Sequence, residues 1–133
     1  MFLLDVNALF AVLNKTHGAH RSVMKWLDSI DQHASCGLTQ ISTFRLLLTP
    51  ASMRGKPLKP AAAHESIARF TGLRHHKFVA CPALSSSMVG RTNGHNAAVD
   101  DYLVQIAGNA GCRLATLDRA LATRWPERTV LVN

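Results

Sequence analysis

The sequence predicts an α/β fold, a parallel sheet with helices on both faces, and three observations carry that expectation. Short apolar runs alternate along the chain with segments whose apolar residues recur at three and four, which is the pattern of strands joined by crossover helices. The first run, Phe2-Leu3-Leu4, has no polar face, as suits a strand buried on both sides in a parallel sheet. Two of the runs stop on an aspartate, Asp5 and Asp118, followed at once by helical sequence. In open α/β sheets the crevice beyond the carboxyl ends of the strands is where ligands bind.

The elements follow in order. After the first strand, Val6, Leu9, Phe10 and Leu13 mark a helix over 6–13, and Asn14-Lys15-Thr16-His17-Gly18 breaks it. Val23, Trp26, Leu27 and Ile30 mark a second helix within 19–30. His17 and His20 stand three apart at its start, but no further ligands lie nearby, so a helix-start or packing role fits better than a metal site. Residues 34–38 read as a strand. Thr39 is placed to cap the next helix, whose apolar residues are Ile41, Phe44, Leu47 and Leu48 and which Pro50 ends. A basic loop follows over 51–60, then a helix over 61–72, a basic cluster at 74–77 and a strand at 78–81. Residues 85–90 are small and polar and suggest no element. A long helix is predicted from about 96 to 109, closed by Gly111. The strand 113–116, a short helix and a last strand at 129–132 complete the chain.

Length and composition fit one domain over residues 1–133, 47% apolar. A chain of this size buries roughly two-thirds of its unfolded surface. No run reaches the ~18 apolar residues of a membrane span, and no charged segment precedes the first apolar run, so a soluble, cytoplasmic protein is expected. Cys36, Cys81 and Cys112 are odd in number and lack a CxxC pair. They read as buried free thiols and not as a disulfide or zinc framework. Fifteen Lys and Arg oppose eight Asp and Glu, a formal +7. If Asp5, Asp100 and Asp118 converge, the remaining surface acids are Asp28, Asp31, Glu65, Asp101 and Glu127. A basic exterior around an acidic pocket suits a polyanion cut with the help of a metal; the plainer alternative is charge that only confers solubility. Arg54, Lys56 and Lys59 of the first basic stretch and Arg74 and Lys77 of the second are candidate phosphate contacts.

Asp5 has two readings: it caps the helix that starts at Val6, or it lines a site at the strand end. Asp118 repeats the arrangement. In the long helix, Val99, Leu103, Ile106, Ala107 and Ala110 form the expected buried stripe. Asp100 falls at its edge, and Asp101 aligns with Gln105 and Gly108 on the outward side. Asp100 is therefore the acid aimed at the pocket. Carboxylates gathered at one site either take up protons or bind a hard cation. Oxygen ligands without His or Cys favour Mg²⁺ or Mn²⁺, with no means of choosing between them. The residues thus support a metal-dependent phosphodiesterase.

Four blocks in order, Leu3-Leu-Asp-Val-Asn-Ala-Leu9, the Leu38–Pro50 stretch with its Arg-Leu-Leu-x-Thr-Pro, Asp100-Asp-Tyr-Leu-x3-Ala107 and Leu114-Ala-Thr-Leu-Asp118-Arg, resemble the PIN-domain ribonucleases. The nearest pattern is that of the VapC toxins of bacterial toxin–antitoxin pairs. The resemblance implies a PIN-like three-layer fold with a five-stranded parallel sheet, and an acidic pocket holding Mg²⁺ or Mn²⁺. It further implies cleavage of RNA by metal-activated water, a cognate antitoxin and a homodimer. Carried over by position, Asp5, Asp100 and Asp118 match the family's catalytic and metal-binding acids, and Asn7 and Thr116 match polar positions supporting the pocket. Gln40 stands where the family commonly has a Glu at the start of the third helix. An amide there still offers a carbonyl to a cation but adds no charge, so either the enzyme works with a weaker site, or the chain is a catalytically weakened RNA- or protein-binding module. A receiver-like signalling domain fits poorly, for want of an acid pair after the first strand and a phosphate-accepting Asp at the third.

Overall fold

The computed structural model describes residues 1–88 and 90–133. The strands are β1 (Phe2–Leu4), β2 (His33–Cys36), β3 (His76–Val79), β4 (Arg113–Thr116) and β5 (Thr129–Leu131). The helices are α1 (Val6–Leu13), α2 (His20–Leu27), α3 (Gly37–Leu48), α4 (Pro60–Thr71), α5 (Ala98–Asn109) and α6 (Arg119–Arg124). All the strand pairings are parallel and the sheet order is β3-β2-β1-β4-β5. The chain builds outward from β1 through β2 to β3, then returns to the other side of β1 for β4 and β5. The switch point therefore lies between β1 and β4, where such sheets open a crevice. A receiver-like sheet, ordered 2-1-3-4-5, is ruled out by this order.

The unbroken apolar run of β1 is used on both faces. Leu3 packs with Ala34, Leu114, Leu103 and Ile106 on the side covered by α5, while Leu4 packs with Ala115, Leu9 and Val23 on the side covered by α1 and α2. Both leucines are fully buried. A smaller cluster of Phe10, Leu47, Ala63 and Ile67 joins α1, α3 and α4. His17 and His20 have local roles: the His17 ring Nδ1 accepts from the Ala19 N–H at 3.1 Å, and the His20 Nδ1 bonds the Ala11 carbonyl at 2.7 Å.

Several expectations are corrected. The second strand is His33–Cys36 and helix begins at Gly37, so Cys36 is the N-cap. Thr39 works from inside the first turn, its hydroxyl accepting the Cys36 N–H and donating to the Cys36 carbonyl, each at 3.0 Å. The third strand is displaced toward the amino side and lies at the sheet edge, which leaves Phe78 64% exposed. Cys36 is buried as expected, but Cys112 is half-buried and Cys81 exposed, because β3 ends before Cys81. A 3₁₀ turn at Ser86–Met88 buries Met88 within the unassigned polar stretch. Residue 89 of that stretch lies outside the described residues.

The long helix differs most. It starts at Ala98 behind a 3₁₀ turn at His95–Ala97. Val99, assigned to the buried stripe, is exposed, whereas Asp101 and Gln105, assigned to the outward side, are buried. The helix is covered on a second side. Asp101 is met there by Arg124 and Trp125, and Gln105 holds the Ser85 N–H and the Ala83 carbonyl at 3.0 and 2.8 Å.

Candidate active site

The site is built on the carboxyl ends of β1 and β4, the two strands flanking the switch point. The Asp5 N–H donates to the Ala115 carbonyl at 3.0 Å, which fixes the end of β1 against β4. The Asp5 side chain is almost wholly buried, and its Oδ1 accepts the Ala8 N–H of the first turn of α1 at 2.6 Å. Its Oδ2 accepts the Thr116 hydroxyl. The same hydroxyl oxygen accepts the Asp118 N–H at 3.0 Å. Asp118 then caps α6, its Oδ1 accepting the Ala120 and Leu121 N–H groups at 2.7 and 3.2 Å. The two readings of Asp5 and Asp118 are therefore not rivals: capping holds each carboxylate in place at the crevice. Because β1 and β4 are neighbours, the two capping aspartates stand at one crevice and are linked through the Thr116 hydroxyl.

Asp100 enters from the first turn of α5, half-buried. Burial pushes the Asp5 carboxyl up to about 6, the Thr116 and Ala8 hydrogen bonds pull it back, and the negative charges of Asp100 and Asp118 raise it further. Burial also raises Asp100, with Asp118 adding to the rise and the Arg124 guanidinium opposing it. Asp5 feels the charge of both other acids and Asp100 that of Asp118, and Asp5 cannot ionise cheaply without a cation.

Thr116 ties these parts together. Thr116→Val removes a hydrogen bond that favours the charged form of Asp5, so the Asp5 pKa is expected to rise above its wild-type value. The acidic limb of any activity profile should move to higher pH with it, and stability should fall by about 1–2 kcal/mol for the unpaired buried groups. An NMR titration of the Asp5 carboxyl carbon checks this, and an unchanged midpoint would refute the assigned bond.

Asn7 is exposed in the first turn of α1 and makes no side-chain hydrogen bond among the described residues. Gln40, in the first turn of α3, makes its hydrogen bond away from the acids. Its Nε2 donates to the Ser35 hydroxyl at 2.9 Å, which in turn bonds the His76 Nε2 at 2.8 Å. This amide is committed to the β2–β3 side of the sheet and bonds none of the three acids. Gln40→Glu, which a missing pocket acid would predict to speed catalysis, is instead expected to leave cleavage within about threefold. It should cost about 1 kcal/mol of stability, because Ser35 loses its donor. Parallel rate and urea-melt measurements decide, a large rate gain going against the observed placement.

The predicted basic contacts are also placed away from the acids. Arg74 precedes β3 and so lies at the amino edge of the sheet, opposite the Asp5 edge, and Lys77 sits low on the same strand. Arg54 lies near enough to His17, beyond the far end of α1, to lower its pKa. Lys56 and Lys59 share that exposed 49–59 connection. Sequence reading missed Arg124 and its partner Asp101. The pair is separated by 23 positions, so no local spacing announces it; the one available hint was Trp125, whose indole N–H needs a partner when buried.

Comparison with known proteins places this geometry in a family. No family model matches the chain. Ribonuclease VapC44 of Mycobacterium tuberculosis is 32% identical over 126 residues, covering 90% of this chain and 87% of the relative. Ribonuclease VapC39 of the same organism is 29% identical over 126 residues, covering 90% of each. Ribonuclease VapC38 is 28% identical over 131 residues, 96% of this chain and 92% of the relative. With a five-stranded parallel sheet, acids at its switch point and this similarity over most of its length, the chain belongs to the VapC family of PIN-domain ribonucleases.

Proposed function

We propose that the protein is a metal-dependent endoribonuclease, the toxin of a VapBC-type pair, cutting RNA at the crevice between β1 and β4. The convergence there of Asp5, Asp100 and Asp118 carries the reading, with the Asp5 carboxyl held near 6 by burial and by its acidic neighbours.

A hard divalent cation fits this donor set, which is all oxygen and carries negative charge that no bonded cation neutralises on Asp5. Among the described residues no three His, Cys, Asp or Glu side chains already form a closed ligand cluster, so binding would draw in the half-buried Asp100 and Asp118 around the fixed Asp5. Mg²⁺ or Mn²⁺ held by these acids supplies Lewis acidity toward a phosphoryl oxygen and acidifies a nearby water. The chain's own contribution is orientation. Thr116 and the Ala8 N–H hold both oxygens of Asp5, and the α6 backbone holds one oxygen of Asp118. Asn7 and Gln40 remain candidates for support at the rim, and the placement of Gln40 favours a structural duty.

The substrate is RNA, and the partner is an antitoxin. An apolar groove of about 390 Å³ between α3 and α4, lined by Ile41, Phe44, Ile67 and Ala68, supports a protein partner, since Ile41 is 60% exposed there. A homodimer in the cytoplasm completes the reading. No described helix is long and apolar enough to cross a membrane.

The test is cleavage of a total bacterial RNA pool by purified protein with Mg²⁺, with Mn²⁺ and with chelator. Cuts at a few sites that need metal support the assignment; intact RNA under every metal would overturn it.

A further inference from the structure

We propose that Arg124, held in orientation by the buried Asp101, is the residue that grips an RNA phosphate beside the acidic crevice. The inference rests on the nuclease reading for its substrate, but its geometry is independent. Asp101 is completely buried in the first turn of α5, next in sequence to Asp100. Its Oδ1 accepts the Arg124 Nε–H and Nη2–H at 2.9 and 2.7 Å and the Trp125 indole N–H at 2.8 Å. Arg124 closes α6, the helix that Asp118 opens. Its guanidinium thus lies between the elements that carry Asp100 and Asp118.

Two features argue against a purely stabilising ion pair. Asp101 Oδ2 has no hydrogen-bond partner among the described residues, and a buried carboxylate satisfied on one oxygen is poor cement. Arg124 also keeps a side-chain exposure of 22%. A guanidinium has five N–H donors in a rigid plane; with two on Asp101, three remain for a ligand. That suits the bidentate recognition of phosphate at which Arg excels. A second guanidinium, Arg91, stacks on the Trp125 ring at 4.5 Å but is paired with Glu127, which leaves Arg124 as the guanidinium with donors to spare beside Asp101. The basic loops read from the sequence lie near His17 and at the amino edge of the sheet, whereas Arg124 lies near enough to Asp100 for its charge to act on that carboxyl.

The experiment measures binding of a fluorescein-labelled single-stranded RNA 12-mer to the full chain across a salt series, in chelator so that cleavage plays no part. Arg124→Gln and the double variant Asp101→Asn/Arg124→Gln are compared with wild type, Arg54→Gln and Arg74→Gln. The double variant leaves no buried charge unpaired, which guards against simple misfolding, and circular dichroism confirms its fold. Both Arg124 variants should bind about five- to tenfold more weakly, with the slope of log affinity against log salt reduced by about 0.7–1. Arg54→Gln and Arg74→Gln should bind as wild type does. A folded double variant with wild-type affinity and slope would overturn the proposal and leave Arg124 as the counter-ion of Asp101 alone. Loss of binding in these variants alongside a wild type that cuts no RNA would instead sink the nuclease reading while sustaining this one.

Discussion

Asp5→Asn is expected to abolish metal-dependent RNA cleavage, by about 100-fold or more, and at the same time to make the metal-free protein more stable above pH 6. The two effects have one cause. In the folded chain the Asp5 carboxyl titrates at about 6 against 3.8 for the ordinary group, chiefly because it is buried. Below 3.8 it is neutral folded or unfolded and burial carries no penalty. Above 3.8 the unfolded carboxyl ionises while the folded one stays protonated, so the stability present at low pH is lost progressively until pH passes the folded value of about 6. The displacement corresponds to about 3 kcal/mol once both states are ionised. Asparagine keeps an oxygen for the Ala8 N–H and never ionises, so the variant escapes this loss. Histidines shift in the other direction: His33 is lowered to about 4 by burial and by the neighbouring His76 and His75, so its contribution fades as pH falls. The comparison must therefore be variant against wild type at each pH. Thermal melts in chelator at pH 5 and pH 8 should show the Asn variant gaining about twice as much at pH 8 as at pH 5. Mg²⁺ should raise the wild-type midpoint at pH 8 and not the variant's. Equal differences at both pH values would mean that Asp5 is not the strained group described.

Arg124→Ala is expected to cause the largest loss of stability of any single change near the site, about 3 kcal/mol. It strips two of the three donors from the Oδ1 of fully buried Asp101 and leaves only the Trp125 indole N–H. Removing one partner of a buried pair typically costs 3–5 kcal/mol; solvent reaching Arg124, whose side chain is 22% exposed, moves the expectation to the low end. Asp101→Asn/Arg124→Ala should recover most of the loss, because no charge is then left unpaired. Urea denaturation of the two variants checks both statements. If Arg124→Ala melts as wild type does, the burial assigned to Asp101 is wrong.

Much of the architecture was legible because its signals are local. The apolar run of β1, the helical spacing of α1 and the strand at Arg113–Thr116 are written within a few consecutive residues. Asp5 and Asp118 were recognisable for the same reason: each stands at a strand-to-helix junction where a cap is needed. Gly111 closes the long helix with φ +68, a backbone conformation that glycine adopts freely. The start of α3 was misplaced by three residues, because Cys36 is a weak capping residue and Thr39 a strong one, yet it is Thr39 that bonds back to Cys36.

Contacts between distant segments were decided by the tertiary structure. Helical periodicity assigns one buried face, but α5 is covered on a second side by α6 and by the 82–85 segment, so Asp101 and Gln105 turned out buried and Val99 exposed. Basic residues in a loop look the same in sequence wherever the fold carries them. Only the tertiary structure shows that Arg74 lies at the amino edge while Arg124 is held by Asp101, next to Asp100 in α5. The sequence by itself determined the parallel α/β class and the two capping aspartates, since those depend on neighbours along the chain. Which side chains share the crevice was decided by strand order and helix packing, which bring together residues such as Thr116 and Asp5, 111 positions apart.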